Sequence, residues 1–297
     1  MTLHPQSRAL LDALASDDEG PMTLEKVQAI RAAAREDAAS APRVGLDHVA
    51  DVDADGVPCR LYRPRQGAPV ALYVHGGGWV LHDLETHDAF CRHLAHTTGW
   101  ALLAVDYRRA PEHRYPAPLD DVQTAGRWLR AHDRELRVDA SFMPAIGDSS
   151  GANLVAGLCV RDAGAIDVQV LLYPPVDRRA ELPADLSTAA LDATAMDWFW
   201  DAYAPGELAD HPEVSPARAA DLSGQPPAYV VTAEHDVLRD QAETYAARLA
   251  EAGVDVLAHR ALGMVHSFWR QPGLFDASRS TVSVVGALLD AHRSRRR

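Results

Sequence analysis

Short apolar runs separated by helical segments dominate the chain from about residue 49 onward. Most of these runs are nearly continuous, which is typical of strands that are covered on both faces. The run at 57–62 instead alternates and predicts an edge strand. A helix over about 119–131 leads toward the middle of the chain. Strands that alternate with helices predict a mostly parallel sheet with helices on both faces; the predicted strands are 57–62, 70–74, 101–105, 142–146, 168–173, 228–233 and 254–257.

Two stretches depart from this alternation. Residues 1–45 are rich in alanine and charge, and their leucine, valine and isoleucine spacing predicts two helices separated by a break at 17–21. The insertion at about 177–224 interrupts the strand and helix order and carries several aromatic residues. We expect both stretches to form a helical cap on a main domain that spans 46–297. The aromatic residues of the insertion admit two readings, packing on the core and lining a cleft, and a cap helix can do both.

The segment 147–151, Gly-Asp-Ser-Ser-Gly, fits the G-x-S-x-G pattern of a nucleophile elbow. It follows the predicted strand 142–146 and precedes a helical segment, which is the context that the motif requires. Small residues at Gly147 and Gly151 would let strand and helix approach closely. The helix N-terminus would favour negative charge at Ser149. A serine N-cap between two glycines is the competing interpretation, and the pentapeptide alone does not decide between them.

A serine nucleophile needs a nearby base, and that base needs an orienting carboxylate. In α/β-hydrolases, whose serine lies in such an elbow, the order along the chain is serine, then acid, then histidine. Asp236 lies in the loop after strand 228–233, whereas Asp240 falls in the next helix, and Glu234 is the rival acid. His266 lies in a loop near the C-terminus, whereas His259 falls in or beside a strand. Ser149 and His266 are therefore predicted to form a catalytic triad with an acid from this loop, and at this point Asp236 and its rival Glu234 both remain candidates.

Acyl transfer also requires donors for the oxyanion that forms on the attacked carbonyl. The segment His75-Gly-Gly-Gly follows an early strand, where α/β-hydrolases carry their HGGG loop. Glycines without a Cβ let backbone N–H groups face a cleft. The N–H of Ser150, one residue after the nucleophile, would complete the oxyanion hole.

Composition limits the remaining classes. The formal net charge of −13 argues against nucleic-acid and anionic-membrane partners. The cysteines are few and widely spaced, which argues against a disulfide scaffold and favours a reducing compartment, here the cytoplasm. The first residues contain no apolar signal region, and no apolar run is long enough to span a membrane.

Together these segments resemble the bacterial hormone-sensitive-lipase family of esterases, whose domain is the α/β-hydrolase fold-3 domain. The resemblance runs across most of residues 49–290 and is looser over the first 45. The matching stretches are HGGGW at 75–79, DLETHD at 83–88, DYRRAPEHRYPAP at 106–118, GDSSGANL at 147–154, PPAYVVTAEHDVLRD at 226–240 and GMVHSFW at 263–269.

The resemblance implies an α/β-hydrolase fold and a serine carboxylesterase that acts on short to medium acyl esters without a cofactor or metal. It assigns the oxyanion hole to the amides of Gly77, Gly78 and Ser150, and it favours Asp236 over Glu234 through the family's D-P-L-R-D pattern. It gives His75 and the 106–116 segment a supporting role beside the glycine loop. The expected partner is a small-molecule ester, with a homodimer left open. The expected substrate-contacting residues are Trp79, Phe199 and Trp200.

Three positions differ from the family pattern. Ser150 replaces the usual alanine, Arg109 replaces a leucine in the D-Y-R-L-A-P segment, and Val237 replaces a proline after the acid. None of the three differences removes a predicted catalytic group.

Other functions remain as alternatives. An amidase or a lactone hydrolase would use the same triad, and a binding-only member of the fold typically loses a triad residue. A dehalogenase or epoxide hydrolase would need an acid at position 149. A metal hydrolase is suggested only by a group of histidines without an H-E-x-x-H motif, at His75, His82, His87, His93 and His96.

Overall fold

The computed structural model describes residues 2–14, 22–188 and 190–296. Its centre is a twisted sheet whose strands are β1 (His48–Ala54), β2 (Val57–Arg63), β3 (Ala68–Val74), β4 (Ala101–Val105), β5 (Val138–Asp139), β6 (Ala145–Asp148), β7 (Gln169–Leu172), β8 (Ala228–His235) and β9 (Val256–Val265). Their spatial order is β1-β2-β4-β3-β6-β7-β8-β9. The short strand β5 pairs with the beginning of β3.

The sheet is mostly parallel, as predicted. Strands β4, β3, β6, β7, β8 and β9 pair in parallel, whereas β2 runs antiparallel to both of its neighbours, β1 and β4, at one edge of the sheet. Parallel neighbours need long crossover connections, and the helical segments of the sequence supply them. The carboxyl ends of the parallel strands consequently meet along one edge, which is where ligands bind in such sheets.

Side chains of β3 show why helices must cover both faces of this sheet. Val70, Leu72 and Val74 point into one hydrophobic cluster, and Ala71 and Tyr73 point into the other. Successive residues of a strand face opposite sides. A strand that is apolar at every position therefore requires a packed layer on each side.

Eight helices of the described residues form these layers and the additions to them. They are α1 (Pro5–Leu14), α2 (Leu24–Ala39), α3 (Leu84–Thr98), α4 (Ala117–Leu136), α5 (Ser150–Arg161), α6 (Ala193–Tyr203), α7 (Arg239–Glu251) and α8 (Asp276–Arg295). The apolar side chains of α4, α5 and α7 lie in the first cluster, whereas those of α3 and α8 lie in the second. Among the described residues, no helix combines the length and the apolar character needed to cross a membrane.

The two N-terminal helices were predicted, and the predicted break at 17–21 lies outside the described residues. Helix α1 is attached beside β9, because His4 N and Ser7 Oγ both donate hydrogen bonds to the carbonyl of Gly263, at 3.0 and 2.8 Å. Helix α2 is held by Arg31, which bonds the carbonyls of Val80 and Ala110. Helix α1 is therefore fixed to the end of β9 before His266, and α2 is fixed to two loops near the carboxyl edge of the sheet.

Candidate active site

The nucleophile elbow joins β6 to α5. Ser149 stands between them with φ 52° and ψ −124°, a conformation that is strained for a residue with a Cβ. A Cβ on Gly151 would lie 2.0 Å from the carbonyl oxygen of Val74, and one on Gly147 would lie 2.5 Å from the backbone of Gly151. These contacts explain why the sequence has glycine on each side of the serine. The N-terminus of α5 begins at the next residue, as the elbow interpretation requires.

The structure brings the three predicted triad residues together. His266 follows β9 and Asp236 follows β8, so both lie at the same carboxyl edge as Ser149. His266 Nδ1 lies 2.7 Å from Asp236 Oδ2, and His266 Nε2 lies 3.0 Å from Ser149 Oγ. An N–H on Nδ1 would donate to the carboxylate, and Nε2 would then accept from the serine hydroxyl.

Neighbouring groups hold Asp236 and His266 in this orientation. The Asp236 side chain is fully buried, and its second oxygen accepts a 2.9 Å hydrogen bond from the N–H of Leu238. The ring of Tyr173 packs against that of His266, with 4.7 Å between ring centroids. The rival acid, Glu234, points elsewhere and accepts a 2.7 Å hydrogen bond from Gly263 N. Glu234 thus ties β8 to the segment before His266 and does not contact the imidazole.

The glycine loop after β3 borders the same site. Gly77 and Gly78 have φ values of 122° and 60°, which few residues with a side chain adopt. A Cβ on Gly78 would lie 2.5 Å from the ring of Phe199. Within the described part of the chain, the N–H groups of these two glycines donate no hydrogen bond to the protein. Ser150 is the first residue of α5, where the backbone N–H has no partner inside the helix.

Side chains on the far side of the glycine loop from the cavity hold it in position. Tyr107 stacks on the His75 ring at 4.4 Å and donates a 2.9 Å hydrogen bond to the His75 carbonyl. Burial lowers the pKa of His75 to about 3, helped by its neighbour His87, so the imidazole is neutral. Arg109, which departs from the family pattern, bonds the His82 carbonyl at 2.5 Å. His75 and the 106–116 segment therefore contact the loop as the resemblance implied.

A small cavity opens onto Ser149. Its volume is about 160 Å³, below the ~300 Å³ at which sites for drug-sized ligands begin. The glycine loop, the elbow and the His266 segment form its polar side. The insertion supplies an apolar side from Ala190, Leu191, Met196 and Phe199.

Larger surface depressions of about 550 and 450 Å³ lie elsewhere, and in neither does a histidine bond a serine, threonine or cysteine within the described residues. Thr232 of the second depression donates a 2.8 Å hydrogen bond to Glu243, but that carboxylate is paired with Arg260. Cys59 lines the larger one, but burial raises the pKa of its thiol well above the usual range, so it is a poor nucleophile. The smaller cavity is therefore the candidate active site on chemical grounds.

Trp79 and Trp200 do not line this cavity. Both are almost fully buried, with ring centroids 4.3 Å apart, and Trp79 also stacks on Tyr203 at 4.6 Å. The indole N–H of Trp79 donates to Asn153 at 3.2 Å. Of the three predicted substrate-contacting residues, only Phe199 faces the cavity. The two tryptophans instead join the glycine loop to α6 through an aromatic stack.

Comparison with known proteins identifies the family. A family model described as an alpha/beta hydrolase fold matches residues 71–270, which is more than half of the chain. The chain belongs to the α/β-hydrolase fold-3 family. The resemblance seen in the motifs and the predicted fold class are both confirmed.

Relatives in the fold-3 family share most of their length with this chain. The carboxylesterase NlhH of Mycobacterium tuberculosis is 41% identical over 76% of this chain and 73% of the relative. The ethyl acetate hydrolase of Pseudomonas putida is 37% identical over 80% of this chain and 79% of its own. A hyperthermophilic esterase from Pyrobaculum calidifontis has a TM-score of 0.89 at 35% identity and covers 98% of this chain and 99% of its own.

One site residue that sequence reasoning missed lies directly before the nucleophile of this fold-3 chain. Asp148 is buried and accepts hydrogen bonds from the Tyr73 hydroxyl at 2.8 Å and from Gly76 N at 3.1 Å. Burial alone would raise the pKa of Asp148, but interactions with His87, Tyr73 and Arg270 lower it below its usual value. The charged carboxylate therefore joins the elbow to the first glycine of the loop. Its place inside the G-x-S-x-G motif was the available signal.

The histidines that suggested a metal site have other neighbours. The rings of His75, His82 and His87 lie close together, with His87 Nε2 4.0 Å from Asp148 Oδ2. In the described ranges, no three histidine, cysteine, aspartate or glutamate side chains are arranged to hold a metal ion.

Proposed function

We propose that this chain is a serine carboxylesterase that hydrolyses short acyl esters through an acyl-enzyme. The observation that carries the proposal is the hydrogen-bonded series from Ser149 Oγ to His266 Nε2 and from His266 Nδ1 to Asp236 Oδ2. The series opens onto a cavity that two glycine amides border. The curated relatives named carboxylesterase, esterase and ethyl acetate hydrolase support the same reaction.

In the first half of the proposed reaction, Ser149 Oγ attacks the ester carbonyl while His266 Nε2 takes the hydroxyl proton. The carbonyl oxygen becomes an oxyanion on a tetrahedral intermediate. The intermediate collapses by breaking the bond to the alcohol oxygen, which leaves with the proton that His266 returns. Asp236 keeps the imidazole in the required tautomer and stabilises its positive charge. The product of this half is an ester between the acyl group and Ser149.

In the second half, a water molecule replaces the alcohol. His266 removes a proton from the water, whose oxygen attacks the acyl carbon to form a second tetrahedral intermediate. Collapse of that intermediate returns the proton to Ser149 Oγ and releases the carboxylic acid. The same residues thus serve both halves, and no electron transfer or further reactant is needed.

The proposed oxyanion hole consists of the N–H groups of Gly77, Gly78 and Ser150. Two properties support this assignment: the glycines border the cavity, and their N–H groups have no acceptor in the described part of the chain. Backbone donors that are fixed before reaction need no reorganisation as charge develops, and one such donor is worth roughly 3 kcal/mol in the transition state. The Asp148 bond to Gly76 would help to keep the loop in this position.

We propose that residues 1–45 and the insertion at about 177–224 form the cap over a hydrolase domain at 46–297. The insertion supports this directly because Phe199 and Met196 line the cavity. Helix α1 attaches to β9 at Gly263, three residues before His266, and α2 attaches to the loop that follows the glycine segment. A cavity of about 160 Å³ favours the short end of the acyl range. The proposed partner is a small ester, and a homodimer and a cytoplasmic setting remain proposals; the three free, buried cysteines suit a reducing compartment.

Phe199→Ala should extend the acyl range of the enzyme. Removing the ring enlarges the cavity, and each additional substrate CH₂ that becomes buried contributes roughly 0.8 kcal/mol. We therefore expect kcat/KM for octanoate to rise relative to acetate, measured with p-nitrophenyl esters from acetate to decanoate. Acetate turnover should survive because the triad hydrogen bonds do not involve the Phe199 side chain.

Trp200→Ala is the matched control for this change. Trp200 lies on the same helix but is buried in the aromatic stack, so its loss leaves a core cavity that costs about 3–5 kcal/mol of folding stability. We expect a lower melting temperature and an unchanged order of acyl preference. If Phe199→Ala also lowers all esters equally together with the melting temperature, Phe199 is a core residue and not part of the pocket.

Chelation tests the proposed cofactor-free reaction. Hydrolysis of p-nitrophenyl acetate and butyrate should continue at the same rate after treatment with EDTA and removal of the chelator, since every proposed step uses protein groups and water. Recovery of a lost activity by added zinc would contradict the serine mechanism. Absence of any ester hydrolysis would contradict the proposed function itself.

A further inference from the structure

Arg270 stands out among the residues that line the cavity. It ends a short 3₁₀ helix, Phe268–Arg270, that begins two residues after His266, and it is partly buried. Arginine carries five N–H donors, yet the Arg270 guanidinium donates no side-chain hydrogen bond and forms no ion pair within residues 2–14, 22–188 and 190–296. Other arginines of the chain, such as Arg60 and Arg161, each pair with more than one carboxylate.

The charges around Arg270 leave its donors available to a ligand. The remaining charged group of the cavity lining is Asp148, whose Oδ1 already accepts hydrogen bonds from Tyr73 and Gly76. The His82 imidazole beside it is neutral, because burial first and the Arg270 charge second hold its pKa well below the usual value. Among the described residues, Arg270 is thus the one permanent cation that lines the cavity.

A guanidinium in such a position recognises a specific chemistry. Its planar pair of donors matches the two oxygens of a carboxylate, and the interaction is stronger in a partly dehydrated cavity than in water. The net charge of −13 repels anions from the molecule as a whole. Selection of an anionic ester would therefore depend on a local cation beside the nucleophile.

We propose that Arg270 binds a carboxylate carried by the substrate, so that the preferred esters are short, singly charged esters. The proposal rests on the esterase function proposed above and specifies its substrate class. The carboxylate could stand on the acyl side, as in a half-ester of a short dicarboxylic acid. It could also stand on the alcohol side, as in an acylated hydroxy acid.

Two matched substrate pairs distinguish these cases, because in each pair a methyl group replaces the carboxylate. Monomethyl glutarate and methyl pentanoate test the acyl side, and acetoxyacetate and ethyl acetate test the alcohol side. Reaction is followed in a pH-stat. We expect wild type to prefer the anionic member of one pair, and the pair that shows the preference identifies the side of the ester that Arg270 contacts.

Arg270→Met removes the charge with a similar side-chain length. We expect kcat/KM for the preferred anionic ester to fall about 10- to 100-fold, mainly through KM, which is the range for losing hydrogen bonds to a charged group. The neutral partner should change less than about threefold, well below that range, and Arg270→Lys should recover part of the loss. Arg134→Met, at the exposed C-terminal end of α4, makes the same net-charge change as a control.

Calorimetry with glutarate supplies a readout that does not need turnover. Tighter binding of glutarate to wild type than to Arg270→Met supports the proposal even if no ester is hydrolysed. The absence of hydrolysis would contradict only the esterase function. Equal losses for the anionic and neutral esters in Arg270→Met, or equal glutarate binding to Arg270→Met and wild type, would overturn the carboxylate-binding proposal. Arg270 would then serve only as a counter-charge for Asp148. A wild type that prefers the neutral member of both pairs would overturn it as well.

Discussion

Replacing Ser149 by alanine is expected to lower kcat for p-nitrophenyl butyrate by about 10⁶, the loss seen when a member of a Ser-His unit is removed. The elbow already holds residue 149 in place through the close contacts of Gly147 and Gly151, so the fold should be retained. Stopped assays at high enzyme concentration, together with a melting curve, measure the two effects separately.

His266→Ala and the Ser149→Ala/His266→Ala double variant extend this prediction. Since the two side chains act through one hydrogen bond of 3.0 Å, removing both should cost no more than removing either one. Additive losses in the double variant would mean that Ser149 and His266 serve separate steps. A Ser149→Ala variant that retains a tenth of the activity would exclude Ser149 as the nucleophile.

Asp236→Asn is expected to lower kcat by about 10³ to 10⁴ while leaving the fold intact. An amide cannot hold the imidazole in the tautomer that accepts the serine proton, although it fills the same buried space. The loss should appear in kcat with little change in melting temperature. Steady-state kinetics across the p-nitrophenyl esters should show the same factor at every acyl length.

Glu234→Gln is the matched control, because it makes the same isosteric change two residues earlier. The Glu234 carboxylate accepts from Gly263 N at 2.7 Å, and the glutamine carbonyl can still accept that bond. We expect less than a tenfold loss of kcat, far from the 10³ to 10⁴ of a triad acid. The reverse order of the two effects would assign the acid to Glu234.

Much of the fold could be predicted because the strands at its centre are apolar on both faces. The segment at 70–74 is nearly continuous, and the structure buries every residue of β3. The last strand was predicted at 254–257 but extends as β9 to Val265. It lies at the edge of the sheet and is exposed over most of its first half, including Leu257 at 49%, so no apolar pattern marked its length.

Only those parts of the site that follow from the order of residues along the sequence could be predicted. The order of serine, acid and histidine selected residues that the structure brings within hydrogen-bond distance. Trp79 and Trp200 show that residue order does not give the direction of a side chain. An apolar side chain next to the glycine loop can face either the core or the cavity, and hydrophobic periodicity does not distinguish the two. Asp148 and the role proposed for Arg270 were missed because both depend on neighbours that are distant in the chain.

Covalent trapping on Ser149 tests the central claim most directly. The protein is treated with a p-nitrophenyl alkylphosphonate, from which attack by the serine oxygen displaces p-nitrophenolate and leaves a stable phosphonate ester. Intact-mass spectrometry should show one added phosphonyl group, peptide mapping should assign it to Ser149, and Ser149→Ala should remain unmodified. An active esterase that gains no adduct, or that carries the adduct on another residue, would contradict the proposed mechanism.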